Sequence, residues 1–517
     1  MMPVRFSHQP SAKDIDQNRH FRTDHLQKTL GNRAARGGAL TLTAQVCKFL
    51  ISTAATIVLA RLLTPEDYGL IGMVAILISF LGMFQYMGLP TATIKWTELD
   101  HQLVSELFWI NVALSTGITI LTIGSAPLLA WFYHEPRLLN ITIGFALTVF
   151  LTGLGIQHEA LLSRQMRFAT LAAVDVASLI VGLTAALSSA WFGAGYWALV
   201  INQIVASLVR VSGVWIVCRW RPGLPSLRLR SRAMISFGGD LTGFNLANYF
   251  ALNLDNALIG KFWGAQQLGL YAKAYQLLLL PLEQVNGPLG SVAIPALSRL
   301  ADSPERYRVA YLKILEKLTM LTMPAVVFMI GTSDWLVLLL LGPRWQQAGR
   351  IFMLLGMAGF IQPVTRTCWW LLISQGRSRD MLRAGILSSA VSVALIVLGL
   401  PWGAMGVATA YGVSELFLAG PIIFWFAARR GPIRIADFYR TIAPAASASL
   451  CALAIVLISR PWLQGFHLAL RVVLAFGITA GASFAILAIL PAGRAAMQNS
   501  KETLLLLIGA RKNAIAP

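Results

Sequence analysis

The chain has 517 residues, of which 56% are hydrophobic and 12% are charged, and it carries a formal net charge of +20. Soluble domains average about 25% charged residues, so this composition excludes a chain of water-soluble domains. The apolar runs lack the alternation of barrel strands, and about 20 apolar residues cross the hydrocarbon of a bilayer as a helix. The sequence therefore predicts an all-α integral membrane protein.

The first 37 residues are polar and mixed in charge. They lack the apolar core of a signal peptide and predict a disordered tail. About 14 apolar runs follow, each suited to a transmembrane helix. The predicted limits of these runs are 38–60, 70–90, 104–132, 138–161, 169–192, 195–218, 234–260, 268–298, 312–341, 347–375, 384–400, 403–427, 441–459 and 468–490. An even number of spans places both termini on one side of the membrane.

The connections between the predicted spans differ in charge from one side to the other. Those on the side of the N-terminus contain 31 Lys and Arg residues, and those on the opposite side contain 7. Because cytoplasmic connections are enriched in Lys and Arg, both termini are predicted to be cytoplasmic. These basic connections would face anionic lipid headgroups, which accounts for the net charge without any nucleic-acid partner.

The second half of the chain repeats features of the first half. The stretch RLLTPEDYGL from Arg61 is echoed 200 positions later by KFWGAQQLGL from Lys261. Further matches at offsets of 207 and 210 pair Pro136-Arg137 with Pro343-Arg344, Gln165 with Gln375, and Gly193-Ala194 with Gly403-Ala404. Each pair joins one span to the sixth span after it. The pattern predicts two parallel six-helix pseudo-repeats related by an axis along the membrane normal.

The predicted organisation is a tail at 1–37, a first six-helix bundle at 38–232, a second at 233–430, and two further helices with a cytoplasmic tail at 431–517. Two parallel bundles predict a central cleft that opens to either side in turn, as in an alternating-access transporter. The sequence has no Gly-rich phosphate loop, and its outer connections are short, so no enzyme is predicted. No cofactor or metal is predicted, and coupling to H⁺, Na⁺ or the membrane potential is left open.

Polar residues recur in the first and seventh spans at helical spacing. Gln45 and Lys48 lie three residues apart on one helix face, and Ser52 extends this stripe. At the offset of 200, their counterparts are Asn245 and Asn248. A charge at the centre of a membrane helix costs roughly 2.5–3.5 kcal/mol. We therefore expect these residues to line a substrate cleft, with polar contacts between helices as the alternative.

Two further charged residues flank the second copy of the repeated turn. Asp255 precedes it and Lys273 follows it. Both are candidates for the cleft, and an ion pair between them is the alternative. Glu283 follows Pro281, where a proline-induced kink is expected. Asp255 and Glu283 are therefore candidate sites for a coupling ion.

Two arginines lie well inside predicted spans, away from their ends. Arg210 is in the sixth span and Arg366 is in the tenth. Arg binds phosphate groups through two parallel hydrogen bonds, so both are candidates for contact with an anionic substrate. Pairing with Asp175 or Glu415 is the alternative.

Several stretches carry a family resemblance. The segment NYFALNLDNALIGKFWGAQQLGLYAKAYQLLLLPLEQVNGPLGSVAIPALSRL, from Asn248 to Leu300, resembles oligosaccharide flippases. The branch is the colanic acid exporter-like one of the polysaccharide transporter family, in the multidrug/oligosaccharidyl-lipid/polysaccharide (MOP) superfamily. ARLLTPEDYGL, SFLGMFQYMGLPTATI and GPRWQQAGRIFMLLGMAGF are similar to the same family.

The resemblance implies a flippase of the bacterial inner membrane. Its substrate would be an undecaprenyl-diphosphate-linked oligosaccharide, moved to the periplasmic leaflet for exopolysaccharide, capsule or O-antigen biosynthesis. Membrane lipids, a polysaccharide polymerase and assembly proteins are the implied partners. A cation-coupled multidrug exporter of the same superfamily is the alternative function.

Overall fold

The computed structural model describes residues 30–86, 90, 93–94, 99–224, 232–491 and 493–494. It describes the side chains of these residues apart from 30–42, 86, 232–248 and 250–252. Every regular element in the described part of the chain is helical. The chain divides into two compact units, Met1–Asn253 and Leu254–Pro517. The predicted domain boundaries stay predictions, and so does the predicted cleft.

The first unit contains six helices and the start of a seventh. The helices are α1 (Leu30–Leu62), α2 (Pro65–Tyr86), α3 (His101–Tyr133), α4 (Arg137–Arg164), α5 (Phe168–Trp191) and α6 (Trp197–Cys218), and α7 (Arg232–Ser298) continues into the second unit. Helix α1 starts within the predicted tail; residues 1–29 lie outside the described part. Packing joins α5 to α6, α1 to α5 and α4 to α6.

The second unit holds the rest of α7 and eight further helices. They are α8 (Pro304–Gly331), α9 (Ser333–Leu340), α10 (Gln346–Ser374), α11 (Ser378–Gly399), α12 (Gly403–Ser414), α13 (Gly420–Ala428), α14 (Ile435–Leu463) and α15 (Leu468–Ile489). A π-helical turn, Glu415–Ala419, joins α12 to α13. An apolar core of this unit lies among α8, α10, α13 and α14 and includes Leu297 of α7.

Each predicted apolar run overlaps a described helix, but the predicted number of fourteen is not confirmed. Twelve helical segments of the described residues are long and apolar enough to cross a membrane. One of these segments, Ser378–Ala428, contains two predicted runs, and the helix α7 (Arg232–Ser298) contains two others. In α7 the helical backbone breaks at Gly264, which has φ 78°, and the segment Ser378–Ala428 contains Gly403, which has φ 70°.

The first repeated turn leads directly into α2. Pro65 is the first residue of α2, a position where a missing backbone N–H costs nothing. The backbone N–H of Thr64 donates to Asp67 Oδ2 at 2.8 Å, and that of Asp67 donates to Thr64 Oγ1 at 3.3 Å. This reciprocal pair caps the helix N-terminus. Gly69 lies inside α2, so the turn ends before it.

Three pairs of residues with positive φ recur at offsets close to those of the sequence matches. They follow corresponding helices in the two units. The pairs are His134 (57°) with Gly342 (94°), Met166 (54°) with Gly376 (66°), and Gly193 (80°) with Gly403 (70°), at separations of 208, 210 and 210 positions. Left-handed residues commonly end helices, but nothing in helix formation alone fixes such spacings. The backbone therefore supports an internal duplication.

Candidate functional site

Four helices of the first unit bring charged side chains into one network. Lys48 Nζ of α1 lies 2.8 Å from Asp175 Oδ2 of α5. Arg210 of α6 donates through Nε and Nη2 to the two carboxylate oxygens of Glu159 of α4, at 2.7 and 3.0 Å. Arg210 Nη2 also lies 3.5 Å from Asp175 Oδ1. We call these four residues the charge cluster.

Small residues allow the helices that carry the charge cluster to approach closely. A Cβ on Gly213 of α6 would lie 2.8 Å from Val174 Cγ1 of α5, and one on Gly182 would lie 2.8 Å from Ala206 Cβ. Such contacts are too short for a larger side chain, so glycine sets the distance between α5 and α6. This close packing brings Asp175, which follows Val174, within reach of Arg210, one turn before Gly213.

Three of the four members of the charge cluster lie near one end of their helices. At about 1.5 Å per residue, Glu159, Asp175 and Arg210 lie roughly 7–12 Å from the helix ends at Arg164, Phe168 and Cys218. The topology predicted from the charges places those ends at the cytoplasmic surface.

The side chains of the charge cluster are partly exposed. The exposed fractions are 37% for Lys48, 46% for Arg210, 24% for Asp175 and 25% for Glu159. Charges at this depth are stable only beside protein or water. This face of the first unit is therefore suited to a polar, water-accessible space rather than to lipid chains.

The second unit places its charges differently. Asp255 is 8% exposed, and its Oδ2 accepts a hydrogen bond from the hydroxyl of Tyr271 at 2.8 Å. The Lys273 ammonium donates to Gln276 Oε1 at 2.9 Å. The partners that the structure gives to Asp255 and Lys273 thus differ from the ion pair considered above.

Phenol groups dominate the polar core of the second unit. The hydroxyls of Tyr275 and Tyr411 lie 3.3 Å apart, and Gln362 Nε2 donates to Tyr411 at 3.0 Å. The rings of Tyr271 and Tyr275 stack with centroids 6.3 Å apart. This arrangement gives the unit a neutral polar interior that reaches from Asp255 to α12.

The two predicted phosphate-binding arginines both have carboxylate partners. Arg210 contacts Asp175 as the alternative predicted, although its main partner is Glu159. Arg366 Nη2 contacts Glu283 Oε1 at 3.2 Å, and both side chains are about half exposed. The partner shown for Arg366 is thus Glu283, not the Glu415 that was considered. Glu283, a predicted coupling-ion residue, is therefore paired with Arg366 in this structure.

The remaining predicted cleft residues are less constrained. Gln45 is exposed and Ser52 is half-buried, and Asn245 and Asn248 have side chains outside the described residues. The substrate and coupling-ion roles of all these candidates stay predictions. The sequence analysis did not select Glu159, although a Glu in an apolar run is a usable signal. It also missed Tyr271 and Tyr275, whose i, i+4 spacing places both on one face of α7.

Among the described residues, no group of three or more His, Cys, Asp or Glu side chains is arranged to hold a metal ion. The charge cluster combines two cations with two carboxylates, which suits the binding of an anion or the exchange of ion pairs. The charge cluster is therefore suited to contact with a charged group.

The chain resembles known proteins in sequence and in fold. It is 25% identical to lipopolysaccharide biosynthesis protein WzxC of Escherichia coli K12, over 71% of this chain and 74% of that protein. The lipid II flippase MurJ in an inward closed conformation has a similar fold, with a TM-score of 0.68 and 12% identity, over 87% of this chain and 98% of that one. An inward-facing multidrug resistance MATE transporter of the MOP superfamily matches with a TM-score of 0.58 and 14% identity, over 78% and 99%.

These findings confirm the predicted fold class and the predicted resemblance. The proteins with a similar fold are transporters and not enzymes, in agreement with the prediction that this chain is not an enzyme. The twelve apolar helical segments identify a multi-pass membrane protein. Residues 58–350, more than half of the sequence, match the family described as "Polysaccharide biosynthesis protein". The chain therefore belongs to the polysaccharide biosynthesis protein family, with the fold of a MOP-superfamily transporter.

Proposed function

We propose that the chain flips an undecaprenyl-diphosphate-linked oligosaccharide across the bacterial inner membrane by alternating access. The product would serve exopolysaccharide, capsule or O-antigen biosynthesis. Membership of a polysaccharide biosynthesis family supports the polymer class. The fold shared with a lipid II flippase supports a lipid-linked substrate.

The charge cluster is the observation that carries this proposal. A diphosphate bears about two negative charges at neutral pH. Arg210 presents a planar guanidinium that suits paired phosphate oxygens, and Lys48 adds a compact second charge. Both cations are partly exposed, so a headgroup can reach them. Polar side chains such as Gln45 and Ser52, on the same helix as Lys48, suit the hydroxyls of sugars.

The proposed direction of transport fits the membrane potential. Both termini are cytoplasmic in the proposed orientation, so the charge cluster lies toward the cytoplasmic leaflet, where the substrate is loaded. An anion that moves outward leaves the negative side of the membrane, which gains about 2.3 kcal/mol per charge per 100 mV.

The proposal is tested by deleting the gene and measuring polymer and lipid-linked precursor. We expect loss of the polymer and accumulation of the lipid-linked unit on the cytoplasmic side. Export in the deletion strain is then restored with the wild type or with Lys48→Ala, at matched protein levels. Normal polymer in the deletion strain would reject the flippase. Full export by Lys48→Ala would remove Lys48 from the site.

The similarity of the fold to a multidrug transporter favours drug export as the second candidate. The same deletion strain separates the two functions. Increased sensitivity to cationic drugs with intact polymer would establish the drug exporter, whereas loss of polymer with unchanged drug sensitivity supports the flippase.

A further inference from the structure

Both cations of the charge cluster are already neutralised within the protein. Glu159 uses both carboxylate oxygens on Arg210, and Asp175 contacts Lys48 and Arg210. With two basic and two acidic side chains, the cluster has no formal net charge. An anion that binds Lys48 and Arg210 must therefore displace Glu159 and Asp175 from them.

The difference in exposure between the cations and the carboxylates shows how such a displacement can begin. The two cations are more exposed than the two carboxylates, at 37% and 46% against 24% and 25%. A headgroup can thus approach the cations from the open side while the carboxylates lie on the more buried side. The Nε–Nη2 edge of Arg210, which a phosphate would use, is the edge now held by Glu159.

The basic residues near the charge cluster contact other groups. His158, beside Glu159 on α4, stacks on Trp215 with ring centroids 4.4 Å apart, and its Nε2 lies 3.3 Å from the carbonyl oxygen of Trp220. Arg164 and Arg167, at the nearby helix ends, donate to the backbone carbonyls of Thr93, Ile94 and Val217. Among the described side chains of α1, α4, α5 and α6, the ion pairs at the cluster join Lys48 to Asp175, and Arg210 to Glu159 and Asp175.

Phospholipid headgroups would compete with the substrate for these two cations. The bilayer is rich in phospholipids whose phosphodiester carries one negative charge. Such a headgroup can replace one carboxylate but leaves the second cation held by the other. A diphosphate carries enough charge to replace both. Specificity then arises from a built-in competitor as well as from attractive contacts.

We infer that Glu159 and Asp175 are specificity-determining residues that exclude singly charged phospholipid headgroups from Lys48 and Arg210 and admit a diphosphate. This inference rests on the proposed function, because it assumes that the charge cluster receives a diphosphate. It assigns the two carboxylates a selective role that the cations alone cannot perform.

The test measures binding of undecaprenyl diphosphate to the full chain in nanodiscs. One set of nanodiscs contains only phosphatidylcholine, and the other contains about one third phosphatidylglycerol. For the wild type we expect phosphatidylglycerol to weaken binding by less than about threefold. At 1.4 kcal/mol per tenfold change in Kd, this is less than about 0.7 kcal/mol. For Glu159→Gln and Asp175→Asn we expect weakening of about tenfold or more.

Glu135→Gln is the matched control, because Glu135 pairs with Arg137 outside the charge cluster. It should respond to phosphatidylglycerol as the wild type does. Glu159→Asp keeps the carboxylate and should retain most of the selectivity, which separates competition from a general packing defect.

Three results would overturn the inference. One is strong competition by phosphatidylglycerol in the wild type, which needs no variant to fold. Another is unchanged selectivity in both Glu159→Gln and Asp175→Asn while diphosphate binding persists; this leaves the proposed function standing. The third is a wild type that binds undecaprenyl diphosphate no better than uncharged undecaprenol, which rejects the proposed substrate and the inference together.

Discussion

The two units share a repeated backbone but use their intramembrane charges in different ways. In the first unit, four helices contribute Lys48, Glu159, Asp175 and Arg210 to a partly exposed network of ion pairs. In the second unit, Asp255 is buried against the neutral hydroxyl of Tyr271. An exposed ion pair can exchange its partner for a ligand, whereas a buried carboxylate with a fixed donor resists exchange. The comparison suggests that duplication preserved the turns while the chemistry of the two units diverged.

The largest expected effect comes from removing Arg210 of the first unit, and Arg366 of the second unit is the residue to compare with it. Arg210 makes two short contacts with Glu159 and reaches Asp175, whereas Arg366 makes one contact of 3.2 Å with Glu283. Because half-exposed single pairs contribute little, Arg366→Ala should change export by less than about twofold. Arg210→Ala should lower export about tenfold or more, which corresponds to at least about 1.4 kcal/mol.

Polymer exported per amount of membrane protein measures both variants. Arg210→Lys is the control that keeps the charge but loses the planar fork, and it should give an intermediate value. Equal losses for Arg210→Ala and Arg366→Ala would abolish the distinction between the two units.

A second prediction concerns the buried carboxylate. Tyr271→Phe removes the hydroxyl that donates to Asp255, and an unsatisfied buried acceptor costs about 1–3 kcal/mol. Tyr275→Phe removes a contact between neutral groups and should cost about 0.5–1.5 kcal/mol. Thermal unfolding in detergent at matched pH measures both. A Tyr275→Phe variant that is less stable than Tyr271→Phe would show that the phenol core, not Asp255, dominates the unit.

A third prediction tests whether the turns are equivalent. Gly193 and Gly403 occupy corresponding positions with φ of 80° and 70°, where an L side chain costs about 1–2 kcal/mol. A Cβ on Gly193 meets no atom within 4 Å, and one on Gly403 meets Trp263 at an ordinary 3.5 Å. Substitution with Ala should therefore destabilise both units similarly, as measured by thermal unfolding.

The control is Gly117→Ala inside α3, where a Cβ also meets no atom within 4 Å. It should leave stability unchanged or raise it, since Ala favours helix over Gly by about 1 kcal/mol. A destabilised Gly117→Ala, or an unaffected Gly193→Ala, would contradict the backbone explanation.

The smallest effect is expected at an outer loop of the first unit that has no acidic counterpart in the second. The side-chain hydrogen bond from Arg137 lowers the pKa of Glu135 from its usual 4.5. The pair then stabilises the fold above that usual value, and this stability is lost as pH falls through the lowered pKa. The positions at offsets of 207 and 208 from Glu135 are Gly342 and Pro343, and neither is acidic.

Glu135→Gln should therefore cost about 0.2–1 kcal/mol at pH 7, as for exposed ion pairs. It should also flatten the fall in thermal stability below about pH 4.5, near the unperturbed pKa of Glu. Unfolding curves from pH 7 to pH 3.5 measure the difference. An unchanged acid slope in the variant would show that Glu135 does not contribute to it.

Much of the architecture was determined by the sequence itself. Apolar runs long enough for a bilayer leave the backbone no partner but itself, so they form helices wherever they occur. Pro65 marked the start of α2, and the offsets of 200 to 210 positions located turns that recur in the backbone. Apolar runs and turn residues are local signals, because each is contained in a single stretch of chain.

The partners of the charged side chains were decided only by the tertiary structure. Lys48 and Asp175 are 127 positions apart, and Arg210 and Glu159 are 51 apart. The helix spacing that joins them depends on close contacts such as that of Gly213 with Val174. Helical periodicity tells which residues share one face, but not which face of another helix it meets. For that reason the sequence identified Lys48 and Arg210 as candidates and offered Asp175 as a partner of Arg210. The packing of four helices was needed to reveal Glu159 as the main partner of Arg210 and Asp175 as a partner of Lys48.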